Sequence, residues 1–415
     1  MTTDHDRRFG SWWTAHRGGV VELIRELVAI DTSEGREAEA YAVVGDVLTR
    51  MGVPWEVHPA PPGLAEHPLF TPRQRVEGAS HLLAEVEGAL PGAPTTIVNT
   101  HVDVVPAGPG YLDAYSPVLV GDRVHGRGAC DSKGNVAMLL AALAYCLETG
   151  RPLRRRLRLA LVAEEEVGGN GTLAAILSGQ VGDEAVVLEP TGLSVHHGHR
   201  GCLSWRADVT GSPTHMGGAE DPVNAIVAAA ALVDELQELE RRLLEEARRQ
   251  PDFAGWERPL QLNVGRIEGG EWLGSVPAAC VVEGNLGFLP PLDPAGAAHV
   301  LREHVEAARW RWPGAAIELT HPLLRNGAYA LRRDHPLVLE LQRCRAAAGL
   351  APEPQRAWNV SCDARYYPHL LGVPAVIFGA GTLAEAHSND EYVDMDQVRA
   401  GSAVLVALLL GAGAT

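Results

Sequence analysis

Apolar residues recur at helical spacing over 20–30, and a second amphipathic stretch covers 34–51. Short β-like runs at 83–87 and 95–100 precede a helix that opens after Asp131 and runs to about Glu148. A strand at 157–163, a helix near 172–178 and a strand at 184–188 follow. Strands alternating with helices predict a mostly parallel α/β sheet with helices on both faces.

The pattern changes after Glu189. Strands at 202–210, 262–267, 280–286 and 316–320 are interleaved with helices at 222–249 and 295–310. That order is β-α-β-β-α-β, a ferredoxin-like unit. The α/β pattern then resumes with a helix at 336–347, a strand at 375–378 and a final helix from Asp396. The expected organisation is one α/β domain over 1–195 and 322–415, with a second domain, 196–321, inserted into it. The Pro-rich stretch 60–80 reads as a surface excursion.

Composition narrows the function classes. Thirty-five Lys and Arg against 52 Asp and Glu give a net charge of −17, which argues against nucleic acid or an anionic membrane as partner. The longest apolar runs, near 136–146 and 403–410, are too short to span a bilayer. The polar start, MTTDHDRRFG, lacks the apolar core of a signal peptide. Six scattered cysteines without C-x-x-C spacing read as reduced thiols of a cytoplasmic protein.

The chemistry gathers where strands end. The run 97–100 ends in His101-Val102-Asp103. His101 is a candidate metal ligand there, and Asp103, on the same side of an extended chain, a candidate to hold its second nitrogen. Asp131, in a Gly-punctuated turn before a helix, reads either as an N-cap or as a bridging carboxylate. Glu164, Glu165 and Glu166 directly follow a strand, and a bound cation would relieve their repulsion. Glu189 ends another strand, and His387 follows the strand at 375–378 and a Gly-rich loop. Histidines and carboxylates without thiolates suit zinc, cobalt or manganese. Five such ligands suit two metals bridged by one carboxylate, with a further carboxylate as general base.

Five motifs, in order, carry a resemblance: THVDVVPAG (100–108), GRGACDSKGN (126–135), EEEVGGNGT (164–172), LEPTG (188–192) and AHSNDEYV (386–393). The chain resembles, over nearly its whole length, the two-metal amidohydrolases that include acetylornithine deacetylase, succinyl-diaminopimelate desuccinylase, aminoacylase and carboxypeptidase G. The resemblance implies that His101 and Glu189 bind one metal, Glu166 and His387 the other, and that Asp131 bridges them. It implies Asp103 as the residue orienting His101 and Glu165 as the general base. Glu165 would take a proton from water, the water would attack a carbonyl polarised by the metals, and Glu165 would hand the proton to the leaving amine.

The inserted domain then corresponds to the family's lid and dimerisation domain, which implies a homodimer. Gly211-Ser212-Pro213-Thr214-His215 resembles a lid motif whose His215 would stabilise the tetrahedral oxyanion. Asn263, in NVGRIEGG, resembles a substrate contact, and Arg200 and Arg365 are further candidates. One position departs from the family. Many relatives carry an Arg for a substrate carboxylate where this chain has Gly287. The departure favours substrates without a free α-carboxylate, or another Arg in that role. With EHPLFTPRQ (66–74) and the triple Glu, it resembles the subgroup containing N-formyl aminopyrimidine deformylase. The expected activity is removal of a small acyl group from an N-acylated small molecule. The alternatives are a dipeptidase or carboxypeptidase-like exopeptidase, and a metal-binding homologue without catalysis.

Overall fold

The computed structural model describes residues 4–33, 35–72, 80–88, 91–218 and 222–411. The chain divides into two compact units. One comprises Met1–His197, Leu331–Gln355 and Cys362–Thr415, and the other Gly198–Ala330 and Arg356–Ser361.

In the first unit the strands lie in the order Trp55–His58, His81–Val86, Arg156–Val162, Thr95–His101, Glu184–Leu188 and Ala375–Phe378. The last four pair in parallel. The two strands at one edge run antiparallel, and His196 pairs antiparallel with Ile377 near the other. The mostly parallel expectation therefore holds for the centre of the sheet, and it is the centre that positions the chemistry.

Alternation along Thr95–His101 assigns the two faces. Val98 joins one core with the helices Gly134–Glu148 and Met395–Leu410. Asn99, on the opposite face, donates to Thr172 of the helix Asn170–Leu177. The parallel strands are buried throughout or nearly so, which explains their continuous apolar runs. Because they share a direction, their carboxyl ends open onto one edge of the sheet, where α/β folds place sites.

Two features depart from the pattern read along the chain. The first helix is longer than the 20–30 stripe, spanning Asp4–Val28, because Phe9 and Trp13 continue its buried face among polar neighbours. The 60–80 stretch is not purely a surface excursion. Leu64 and Thr71 are buried, and the Thr71 N–H donates to Asn170 Oδ1 at 3.0 Å. Residues 73–79, with part of the 66–74 segment, lie outside the described residues.

The second unit is built on an antiparallel sheet whose four main strands lie in the order Leu262–Gly269, Ala279–Phe288, Gly201–Thr210, Ala316–Thr320, with the short Arg325–Asn326 as a fifth. With chain order β-α-β-β-α-β, this is the ferredoxin-like arrangement. The helices Ala225–Ala247 and Pro294–Arg311 bury their apolar stripes on one face, around Trp205, Leu236, Leu286 and Leu301. Asn224 caps the first helix and Asp293, before Pro294, the second. The unit runs past 321 to Ala330 because Arg325–Asn326 pairs with Gly201–Thr210. It takes in Arg356–Ser361 because the Arg200 N–H bonds to the Trp358 carbonyl.

Candidate metal centre

Five chain segments deliver side chains to the carboxyl edge of the parallel strands in the first unit. His101 is the last residue of its strand and is buried. Its Nδ1 lies 2.9 Å from the Asp103 carbonyl oxygen and 3.5 Å from the Asp103 carboxylate. That contact sets the ring so that Nε2 faces Asp131 Oδ1 at 3.0 Å. The Asp103 carboxylate has a second task, accepting the backbone N–H of Glu165 at 3.3 Å and of Glu166 at 3.1 Å.

Asp131 does not cap the following helix. It sits in the turn Ala129–Lys133, and the helix Gly134–Glu148 begins beyond it without a side-chain cap. The turn is pinned by Glu391, whose Oε1 accepts the N–H groups of Gly128, Cys130 and Asp131 at 3.0–3.1 Å. The other Glu391 oxygen pairs with buried Arg127 at 2.5 Å. So held, Asp131 turns Oδ1 to His101 and Oδ2 to His387, whose Nε2 is 3.4 Å away. His387 Nε2 also lies 3.0 Å from Glu166 Oε1, and Glu189 Oε2 stands 4.0 Å from His101 Nε2.

Two groups of donors meet at distances that fit a cation: His101, Asp131 and Glu166, and His101, Glu165 and Glu189, each with its ligand atoms within 4.8 Å of one another. The donor set is imidazole and carboxylate, without thiolate, as hard or borderline divalent ions require.

The electrostatics agree. Burial raises the pKa of Glu165 well above the carboxylate range, and the charges of Glu189 and Asp363 add to it. Burial likewise raises Glu189, against the opposing pull of His101. Burial and Asp131 raise Glu166. For Asp131, burial favours the neutral acid, but hydrogen bonds from His101 and His387 outweigh it and the pKa falls. Hydrogen bonds to Asp131 and Glu166 raise His387 to about 10. Buried acids this close repel one another, and a bound cation relieves that repulsion. Backbone strain falls at the same place. Of three non-glycine residues with positive φ among the described residues, Glu164 (62°) and His387 (60°) flank the centre.

The other sequence candidates lie elsewhere. Arg365 is buried, its guanidinium committed to the Cys362 carbonyl at 2.6 Å, the Gly168 carbonyl at 2.8 Å and the Asp363 carboxylate at 3.4 Å. His215, Asn263 and Arg200 belong to the second unit. His215 is exposed on a short ribbon, Thr214–His215 with Ser275–Val276, and its Nδ1 accepts the Gly217 N–H. Arg200 and Asn263 line one pocket of about 520 Å³ together with Gly287.

Reading the sequence left Glu391, Arg127 and Asp363 without roles. Glu391 lies inside AHSNDEYV and Arg127 inside GRGACDSKGN, so a charged side chain within a shared motif is their signal, whereas Asp363 falls in none of the five motifs.

Known proteins match the chain in sequence and in fold. Acetylornithine deacetylase of Proteus mirabilis (strain HI4320) is 25% identical over 387 residues, covering 90% of this chain and 92% of that protein. A tripeptidase from Staphylococcus aureus shares the fold at a TM-score of 0.73 and 17% identity, over 94% of this chain and 97% of that one. So does the Bacillus subtilis YXEP protein, described as a dinuclear metal binding peptidase from the M20 family, at a TM-score of 0.68 and 14% identity, over 96% and 98%. The profile of peptidase family M20/M25/M40 matches residues 97–411, a span that includes every side chain of the centre. The chain belongs to that family and is one of its metallohydrolases.

Proposed function

We propose that the first unit is a dinuclear amide hydrolase that removes a small acyl group from an N-acylated small molecule. The observation that carries the reading is Asp131, one carboxylate oxygen toward His101 and the other toward His387. In this reading His101, Asp131 and Glu189 hold one divalent ion and Asp131, Glu166 and His387 the other, zinc first and cobalt or manganese as alternatives. Bound there, such ions supply Lewis-acid polarisation of the amide carbonyl and acidify water.

The chain's own groups do the rest. His101 is kept with Nε2 inward by the Asp103 carbonyl. The Glu165 carboxylate takes a proton from the attacking water and delivers it to the leaving amine nitrogen. His215 is proposed to stabilise the oxyanion, and the exposed ribbon that carries it to mediate a homodimer. Six buried, free cysteines support a reducing, cytoplasmic setting.

Removing metal with a chelator should abolish hydrolysis, and zinc or cobalt should restore it. Glu165→Gln should lower turnover at least about 100-fold with metal content unchanged. Glu165 also lies within ligand distance of His101 and Glu189. Loss of metal with residual turnover in that variant would therefore make Glu165 a ligand and overturn the assignment.

A second reading, a substrate bearing a carboxylate, has its own observation. A Cβ on Gly287 would lie 3.2 Å from Arg200 Cδ and 3.2 Å from its Nη1. Arg200 therefore occupies the space that a side chain at 287 would need. Its Nε and Nη1 bond to the Asn359 and Gly201 carbonyls, and no acid pairs with it among the described residues. The pocket's one carboxylate, Glu240, is already paired with Arg258 at 2.6 Å. This supports Arg200 as the cation that meets a substrate carboxylate, and it brings acyl-amino acids and dipeptides back beside simple amides. A panel of N-acetyl, N-formyl and N-succinyl amines and dipeptides, with and without an α-carboxylate, separates the two. If Arg200 serves, Arg200→Ala raises KM for the carboxylates alone. An equal effect on both kinds of substrate removes the second reading.

A further inference from the structure

Two acids of the centre, Glu165 and Glu166, sit on a turn, Glu164–Gly169, that makes no regular secondary structure of its own. Asp103 holds its beginning through the amides of Glu165 and Glu166. Its end is held by a second device. The Gly168 carbonyl accepts Arg365 Nη2 at 2.8 Å and the Tyr366 hydroxyl at 2.9 Å, with Thr71 Oγ1 more distant at 3.4 Å.

The two main donors are themselves fixed. The Arg365 guanidinium lies 4.4 Å from the Tyr366 ring centroid, bonds the Cys362 carbonyl and pairs with Asp363. Asp363 Oδ2 accepts the Thr172 hydroxyl at 2.6 Å, which ties the group to the helix that follows the turn. The fit leaves no slack. A Cβ on Gly169 would stand 2.1 Å from Asp363 Oδ1, 2.6 Å from Tyr366 and 2.7 Å from Arg365 Nη2, and Gly169 has φ +77°.

We propose that Arg365 and Tyr366 are positioning residues. By gripping the Gly168 carbonyl they hold Glu165 and Glu166 at the distances the centre requires, and they touch neither substrate nor metal. A charged donor on a buried carbonyl is one of the stronger hydrogen bonds a chain can make. With Asp103 holding the beginning of the turn and Arg365 and Tyr366 its end, the acids have little freedom to splay apart under their mutual repulsion. In its catalytic consequence the proposal rests on Glu165 being the base.

The test uses the full-length protein carrying Arg365→Lys or, separately, Tyr366→Phe. The second variant keeps the ring over the guanidinium and removes a single hydrogen bond, so it should fold even if the first does not. Zinc alone is titrated into the chelator-stripped protein, and kcat and KM are measured on the best amide of the panel. The proposal expects kcat to fall roughly 10- to 100-fold for Arg365→Lys and less for Tyr366→Phe, with KM within about twofold and zinc affinity at one site weakened roughly 10-fold. Variants that melt earlier but keep wild-type kcat and zinc affinity would make the clamp merely structural and overturn the proposal. The zinc titration reads Glu166 whether or not Glu165 is the base. Weakened zinc binding together with a fully active Glu165→Gln would sink the functional reading and leave the clamp standing.

Discussion

Glu37 shows how one carboxyl is strained by the company the centre keeps. It opens the helix Glu37–Arg50, is buried, and its pKa rises to about 7, first from burial and then from the charges of Asp103 and Glu164. In the unfolded chain it titrates near the ordinary glutamate value. Below that value both states are protonated and Glu37 costs nothing. As pH rises the unfolded state loses its proton first, so stability falls until the folded pKa is passed. The shift corresponds to about 3 kcal/mol at pH 8. Glu37→Gln should therefore stabilise the metal-free protein against urea by up to that amount at pH 8 and hardly at all at pH 4.5. Equal gains at both pH values would show that packing, not ionisation, is what the substitution relieves. Arg200 and Gly287 illustrate the same dependence on neighbours. From the sequence, Gly287 read chiefly as a missing cation. In three dimensions the glycine leaves the space that Arg200, from another segment of the chain, occupies.

At the scale of elements, four of the residues that the sequence made legible share one property: they stand at or just after the end of an apolar run, whereas Asp131 and His387 are marked by the glycines that precede them. His101 ends a buried strand, Glu189 directly follows one, and Glu165 and Glu166 come within four residues of the end of another, and the strand pattern alone implies that parallel strands deliver their ends to one edge. The residues that stayed silent act through long-range contacts. Glu391 holds a turn 263 residues earlier in the chain, and Asp363 meets a hydroxyl 191 residues away, separations that no local periodicity reports. The polar start concealed a helix for a related reason, since Phe9 and Trp13 reveal their face only when a core lies against it. Glu391 gives the sharpest test of this layer. Glu391→Ala leaves buried Arg127 unpaired and three backbone N–H groups of the Asp131 turn without their acceptor. It should cost roughly 3–5 kcal/mol in urea denaturation. It should also weaken zinc binding, because Asp131 loses its anchor. Unchanged zinc affinity at reduced stability would mean that the turn holds its shape without Glu391.

For the whole molecule, the division of labour between the two units yields a prediction about assembly. The proposed metal ligands all lie in the first unit, while the most exposed large apolar side chains include Leu273, at 103% relative exposure, and Trp272, at 76%, both in the second. Met216, at 70%, belongs to the same ribbon, its N–H bonded to the Gly274 carbonyl. Side chains of this size contribute roughly 1.5–3 kcal/mol each when buried, and a two-fold interface would bury each of them twice. Sedimentation equilibrium at micromolar protein should therefore give twice the 44.3 kDa chain mass. Trp272→Glu with Leu273→Glu should give the chain mass and leave zinc stoichiometry unaltered, since no ligand is touched. The kinetic outcome then carries the argument to His215, which sits on the same ribbon. If His215 of one copy serves the centre of the other, the monomeric variant binds both ions and turns over no faster than His215→Ala. If each copy is self-sufficient, the monomer keeps full activity. A wild-type protein that sediments as a monomer would leave Leu273 and Trp272 facing water for a reason other than self-association.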